Sequence, residues 1–147
     1  MQIATMIAGL LAARCADHDE TVRRASLQQL TSLRIASLVD VMLPPVERLL
    51  DDESAAVRAA AVLAVLKIAT LADADVDLGR FWTRVDEMLR GDPSAEVRHA
   101  CVALKLQRED EATVVKDAAL VEDLMLRLRV RFLLCLHSQL SLILQLR

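Results

Sequence analysis

Asp52-Glu53-Ser54-Ala55-Ala56-Val57-Arg58-Ala59-Ala60-Ala61-Val62 is the stretch that decides the fold. Asp17-His18-Asp19-Glu20-Thr21-Val22-Arg23-Arg24-Ala25-Ser26-Leu27 repeats its pattern upstream. Asp92-Pro93-Ser94-Ala95-Glu96-Val97-Arg98-His99-Ala100-Cys101-Val102 repeats it downstream. The common form is Asp, four residues, Val-Arg, any residue, Ala, a small residue, then Leu or Val. The three valines are 35 and then 40 positions apart. Recurrence at such a period marks stacked helical units, each burying its apolar face only against its neighbours.

Composition agrees with helix-on-helix packing. The chain is 54% hydrophobic but only 2% aromatic, so its core must be built from Leu, Val, Ile and Ala. With three Gly and three Pro, little material is left for turns. Eighteen basic residues against 21 acidic give a net charge of −3. A nucleic-acid binder needs a basic face to displace counterions, so none is expected as a partner. Cys15, Cys101 and Cys135 are widely spaced, with no Cys-x-x-Cys, which fits buried thiols in a reducing, cytoplasmic setting. No signal peptide is evident at the start. The apolar run Phe132–Leu146 is interrupted by His137, Ser138, Gln139 and Ser141 and falls short of the roughly 20 residues of a membrane helix.

Periodicity divides residues 1–147 into a single solenoid of about four helix pairs, near 1–36, 37–72, 73–111 and 112–147. In the first pair, Ile3, Met6, Ile7, Leu10 and Leu11 share one helical face. Asp17 or Asp19 is placed to cap the next helix, whose inward residues are expected to be Val22, Ala25, Leu30 and Leu33. That helix should run to about Ile35. Pro44 and Pro45 should kink the first helix of the second pair. Phe81, Val85, Met88 and Leu89 form the apolar face of the next. Gly91-Asp92-Pro93 follows as a start signal, with Asp92 as cap and Pro93 in the first helical position. A fourth pair fits Val114–Leu128 and Phe132–Leu146 without the signature. The first and last pairs carry no polar caps and should expose apolar surface.

No residue pattern points to catalysis, a cofactor or a metal. Asp73, Asp75 and Asp77 resemble the start of an EF-hand loop, but Leu78 stands where the loop needs Gly and Arg84 where it needs Glu. His18, His99 and His137 lie in different units, away from other ligands. Arg23, Arg58 and Arg98 each follow the signature Val. They should sit near the edge between units and form a ladder of ion pairs with the turn aspartates Asp17, Asp52 and Asp92 of neighbouring units. A stripe of arginines holding an acidic ligand is the rival use of the same residues.

The Asp-x4-Val-Arg turn followed by a helix of small residues resembles HEAT repeats. Within them, the order of joints is similar to the trunk of the β large chain (β-adaptin) of clathrin-type adaptor complexes. Cys15-Ala16-Asp17 with Val22-Arg23, then Leu33-Arg34-Ile35-Ala36-Ser37-Leu38-Val39, then Val39 to Leu50 with Pro45, follow that family's sequence of turn, joint and kinked helix. Asp52 to Ala60, Lys67-Ile68 and Asp92 to Leu104 continue it. Ala56 stands where the family has Tyr, Ala59 and Ala60 where it has Lys-Thr, and agreement fades from Val130 onward.

The resemblance implies an all-α, right-handed α-α superhelix that makes no bonds and binds proteins through a concave surface. Its partners would be a second large chain and the medium and small chains of an adaptor complex. Its place would be cytoplasmic, peripheral on Golgi, endosomal or plasma-membrane coats in vesicle transport. No match to the family's clathrin-binding hinge is found. A HEAT scaffold of nuclear import or phosphatase regulation is the alternative. An enzyme on a HEAT frame would need a polar, aromatic-lined pocket, for which three scattered aromatics give little material.

Overall fold

The structure is a computed structural model, described here for residues 2–72 and 75–108. Apart from the end of the last helix, these residues belong to the first of two units of the chain, Met1–Lys105. The second unit, Leu106–Arg147, contains the expected fourth pair, which lies outside the described residues.

Among the described residues the fold is all helical, a succession of antiparallel pairs. The helices are α1 (Gln2–Arg14), α2 (Glu20–Ser32), α3 (Val39–Leu49), α4 (Ala55–Ala69), α5 (Gly79–Gly91) and α6 (Ala95–Arg108). A 3-10 turn, Ala36–Leu38, leads into α3. Helix α1 packs on α2 and on α3, while α4 packs on both α2 and α3. The first helices of the first two pairs, α1 and α3, thus stack on one another, and so do their second helices, α2 and α4; the third pair is tied to the second by Arg58–Asp92 and Arg80–Glu47. This is the helical solenoid that the spacing of the signature predicts.

Helix α4 shows why small residues recur. Val57, Ala61, Val62, Val65 and Ile68 are buried, and so are Ala59, Ala60 and Ala64. A helix buried nearly all round needs neighbours close on several sides, and alanines permit that approach. Each fully buried Val or Ile contributes about 1.5–3 kcal/mol. Cys101 takes the place of Ala61 in α6, and Ser26 takes it in α2; both are buried.

Some expectations are corrected by the packing. Ala25 is exposed and Val22 and Leu33 only half-buried; Ser26, Leu27, Leu30 and Thr31 form the inner face of α2. The helix meets α4 and α1 on a face rotated by one residue from the expected one. It stops at Ser32, short of Ile35, because Arg34 adopts φ 49°, a left-handed conformation that ends a helix. Helix α3 holds Pro44 and Pro45 inside one helical run, Val39–Leu49, as a bend at proline permits. Pro93 lies before α6, which begins at Ala95. Helix α1 turns Ile3, Met6, Ile7 and Leu10 outward and buries Ala8, with Leu11 half-buried and Cys15 buried just beyond its end. The outer face of α1 therefore exposes apolar surface in this structure.

Candidate functional site

The most ordered polar feature of the fold lies along the turns between paired helices. In each signature copy the Arg is the fourth residue of its helix: Arg23 in α2, Arg58 in α4 and Arg98 in α6. Its backbone N–H closes the first helical hydrogen bond, to the carbonyl of Asp19, Ser54 or Ser94. That position aims the side chain back over the turn. Nη1 of Arg23 donates to the carbonyls of Asp17 and His18 at 3.0 and 2.9 Å. Nη1 of Arg58 donates to those of Asp52 and Glu53 at 2.8 and 3.0 Å. Nη1 of Arg98 donates to the carbonyl of Asp92.

The other edge of the guanidinium crosses to the next unit. Arg23 Nε and Nη2 donate to the two carboxylate oxygens of Asp52, both at 2.8 Å. Arg58 Nε and Nη2 do the same to Asp92, at 2.8 and 2.9 Å. Arg23 Nη2 also reaches Glu53 at 3.4 Å. Fork-to-fork pairs of this kind fix orientation as well as distance. The turn aspartates have a second task, since Asp52 and Asp92 each accept the N–H of the serine two residues on, at 2.9 and 2.8 Å. Asp17 accepts that of Asp19 at 3.1 Å, and Asp19 in turn caps α2 by accepting from the N–H of Thr21 at 2.8 Å.

Charge in the ladder is locked. Burial pushes the Asp52 carboxyl up, but hydrogen bonds from Arg23 and from the Ser54 N–H outweigh it and hold the group below its usual range. Asp92 follows the same balance, with Arg58 and Ser94 as donors. Arg23 and Arg58 are raised, chiefly by their hydrogen bonds to those carboxylates. The ladder expected from the sequence is therefore present. Arg23 and Arg58 are spent on turns and carboxylates of the chain itself, which argues against their use in a stripe for an acidic ligand; Arg98 bonds its own turn through the Asp92 carbonyl.

A second set of inter-unit ion pairs went unnoticed in the sequence. Arg80 of α5 meets Glu47 of α3 at 3.2 Å, and Arg84 meets both Asp51 and, at 2.9 Å, Glu87. The available signal was the matched spacing of two acids, Glu47 and Asp51, and two bases, Arg80 and Arg84, each pair one helical turn apart. Lys105 of α6 pairs with Asp86 of α5 at 2.9 Å.

The remaining candidates stay separate. Asp75 and Asp77 are exposed, Asp77 accepting the N–H of Gly79 at 2.8 Å, while Asp73 lies outside the described residues. His18 is exposed beside Asp17, His99 is half-buried on α6, and His137 lies outside the described residues. No group of three metal-ligating side chains gathers among the described residues. Burial pushes the Cys15 thiol up to about 11 and the Cys101 thiol to about 12, so both stay protonated and poorly nucleophilic at neutral pH. Surface clefts among the described residues include two with polar rims. One is lined by Thr31, Ser32, Arg34, Leu66, Lys67 and Thr70. The other lies over Leu50 and Phe81 and is rimmed by the paired charges of α3 and α5. No helix among the described residues is long and apolar enough to cross a membrane.

A family model described as non-SMC mitotic condensation complex subunit 1 (Cnd1) matches residues 21–124. No curated protein and no solved structure matches the chain. The family match supports HEAT-type helical repeats and overturns the adaptor assignment. The second large chain, the medium and small chains, vesicle transport and a place on membrane coats all fall with it. Nuclear import and phosphatase regulation do not correspond to it either. The reason for the misassignment lies in the ladder. Asp52, Val57, Arg58 and Asp92, which carried much of the resemblance, hold repeats together and say nothing about which partner the repeats serve.

Proposed function

The chain belongs to the family of non-SMC mitotic condensation complex subunit 1, and from that membership we propose that it is a HEAT-repeat scaffold segment of a mitotic condensation complex. It acts by protein–protein binding within that assembly, and it catalyses no reaction. The carrying observation is the family match across residues 21–124, which takes in all three Val-Arg steps of the ladder. In a stack of helix pairs each unit contacts only its neighbours, and here two-bonded Arg–Asp links join the first pair to the second and the second to the third. Such a stack suits a subunit that holds other subunits at fixed separations.

The test is to tag the full chain in its own cells, arrest them in mitosis and identify what co-purifies. SMC subunits should be recovered with it, and depletion of the chain should leave mitotic chromosomes poorly compacted. A soluble, folded chain that brings down no SMC subunit, and whose loss leaves compaction unchanged, overturns the proposal.

A further inference from the structure

We infer that the cleft between the C-terminal ends of α2 and α4 is a docking site for a phosphorylated serine or threonine side chain of a partner protein. Arg34, Lys67 and the backbone N–H groups of Arg34 and Ile35 would hold it. The cleft has a volume of about 350 Å³, in the range of small-ligand sites. Thr31 and Ser32 of α2 line it, with Arg34 beyond that helix and Leu66, Lys67 and Thr70 at the end of α4. Both cations are exposed, and neither has an ion pair or a side-chain hydrogen bond among the described residues. That sets them apart from Arg23, Arg58, Arg80 and Arg84, each committed to a carboxylate. Residues 21–39 and 54–72 contain no Asp or Glu, so neither helix supplies a carboxylate to its own end.

The backbone gives a second, independent signal. Leu33 is right-handed, with φ −62° and ψ −28°, and Arg34 is left-handed, with φ 49°. In that order successive N–H groups turn toward one concave side, an arrangement that binds anions. Among the described residues neither the Arg34 nor the Ile35 N–H has an acceptor, so both are left for water or a ligand. The end of α4 differs. There the N–H groups of Thr70, Leu71 and Ala72 return to carbonyls of their own helix at 3.1, 2.9 and 2.8 Å. Strain of the kind held at Arg34 concentrates where a backbone clamps a ligand. Carbonyls at helix C-termini would repel an anion. Those of Leu27, Gln28 and Lys67 already accept from the hydroxyls of Thr31, Ser32 and Thr70, at 3.0, 2.6 and 2.7 Å. Cations at such ends also offset the helix dipole, but that use calls for no unbonded N–H. A guanidinium, an ammonium and a pair of N–H groups match the several oxygens and nearly doubled charge of a phosphate ester better than a single carboxylate. Leu66, half-buried, offers an apolar wall to the residue beside the phosphate. Two cations on a chain of net charge −3 suit one such group and not the repeated phosphates of a nucleic acid. The inference rests on this cleft alone and stands apart from the condensation reading.

The test uses the full chain and a library of short peptides with a central phosphoserine or phosphothreonine between randomised flanks. Peptides that are retained should bind about tenfold more weakly or worse when the phosphate is removed or replaced by Glu. Arg34→Ala and Lys67→Ala should each cost about tenfold in affinity. Arg24→Ala, at an exposed arginine of α2 that does not line the cleft, should cost nothing. In the isotope-labelled parent chain the Arg34 and Ile35 amide resonances should shift on addition of a retained peptide. That readout needs no variant and tests the site even where a substitution disturbs folding. Retention of no peptide in a phosphate-dependent way overturns the inference. So does equal affinity for the Glu peptide, an equal loss on Arg24→Ala, or amide shifts that spare Arg34 and Ile35. Inorganic phosphate binding as tightly as the peptide would make this a site for a free anion. Tighter binding of double-stranded DNA through the same residues would give the cleft to nucleic acid. Either result overturns the inference too.

Discussion

Arg58 and Asp92 are 34 positions apart in sequence and joined by two parallel hydrogen bonds of 2.8 and 2.9 Å. The remaining edge of the same guanidinium holds the carbonyls of Asp52 and Glu53. One side chain therefore ties its own turn, its own helix and the next turn along the solenoid. Asp52 is at the same time the acceptor for Arg23, so successive links share a turn.

Breaking one link should be expensive because it leaves a charge without its partner. Both side chains are largely shielded, between an exposed ion pair and a fully buried one. Arg58→Ala and Asp92→Ala should each lower stability by about 2–3 kcal/mol. The double variant should lose clearly less than their sum, with a coupling of about 1–3 kcal/mol in urea unfolding. Arg58→Lys should recover little, since an ammonium cannot bond both carboxylate oxygens in the same plane. Additive losses would show that the link carries no energy of its own.

Acid should loosen the ladder before neutral or alkaline conditions do. The Asp52 and Asp92 carboxyls lie below their ordinary value of 3.8, because hydrogen bonds from Arg23 or Arg58 and from a serine N–H outweigh burial. A depressed folded-state value means that the unfolded chain binds the proton more readily. The stabilisation is complete above the unfolded value and is lost as pH falls through the folded one. Denaturant midpoints should therefore be flat above about pH 5 and fall from about pH 4 downward. In Asp52→Asn with Asp92→Asn, the starting stability should be lower and the acid slope shallower.

Legibility differed between levels of structure for physical reasons. The signature could be read because an arginine that folds back over its own turn needs a fixed distance from the turn aspartate, which Asp17 and Arg23, Asp52 and Arg58, and Asp92 and Arg98 all keep. The direction of α1 could be read only in part. Ile3, Met6, Ile7 and Leu10 mark an apolar face, but which face is buried depends on what stands beside it, and these four residues are exposed. The exposure of Ala25 and burial of Ser26 were hidden for a similar reason, because both are small and neither declares a face. The family was hardest of all. Residues that stack repeats are shared by scaffolds with unrelated duties, so a resemblance built on the order of turns and joints, Asp52 to Ala60 and Asp92 to Leu104 among them, identified the architecture and misplaced the function.

Helix α4 should not tolerate enlargement at Ala61. The residue is fully buried, with Val57, Val62 and Val65 buried around it on the same helix, and α2 and α3 pack on α4. Extra methylenes there must displace a neighbouring backbone or force strained rotamers. Ala61→Leu should lower stability by about 1–3 kcal/mol, whereas Ala56→Leu, at a half-buried site nearer the start of the helix, should be milder. Equal effects at the two positions in thermal unfolding would contradict the close approach of helices at Ala61.

Arg34 offers the opposite kind of change. Its φ of 49° is the one left-handed value at a non-glycine among the described residues, and it stands two positions after the end of α2. Glycine is favoured there because it has no Cβ to crowd the neighbouring carbonyl. Arg34→Gly should raise stability by about 0.5–1 kcal/mol, the relief of strain less the added freedom of the unfolded chain. Arg34→Ala separates the causes, since it removes the guanidinium from the cleft beside Lys67 but keeps the strain. If Ala stabilises as much as Gly, the effect comes from removing a cation near Lys67. If only Gly does, the backbone conformation is responsible, and the joint between the first and second pairs is held in that strained form by the packing on either side of it.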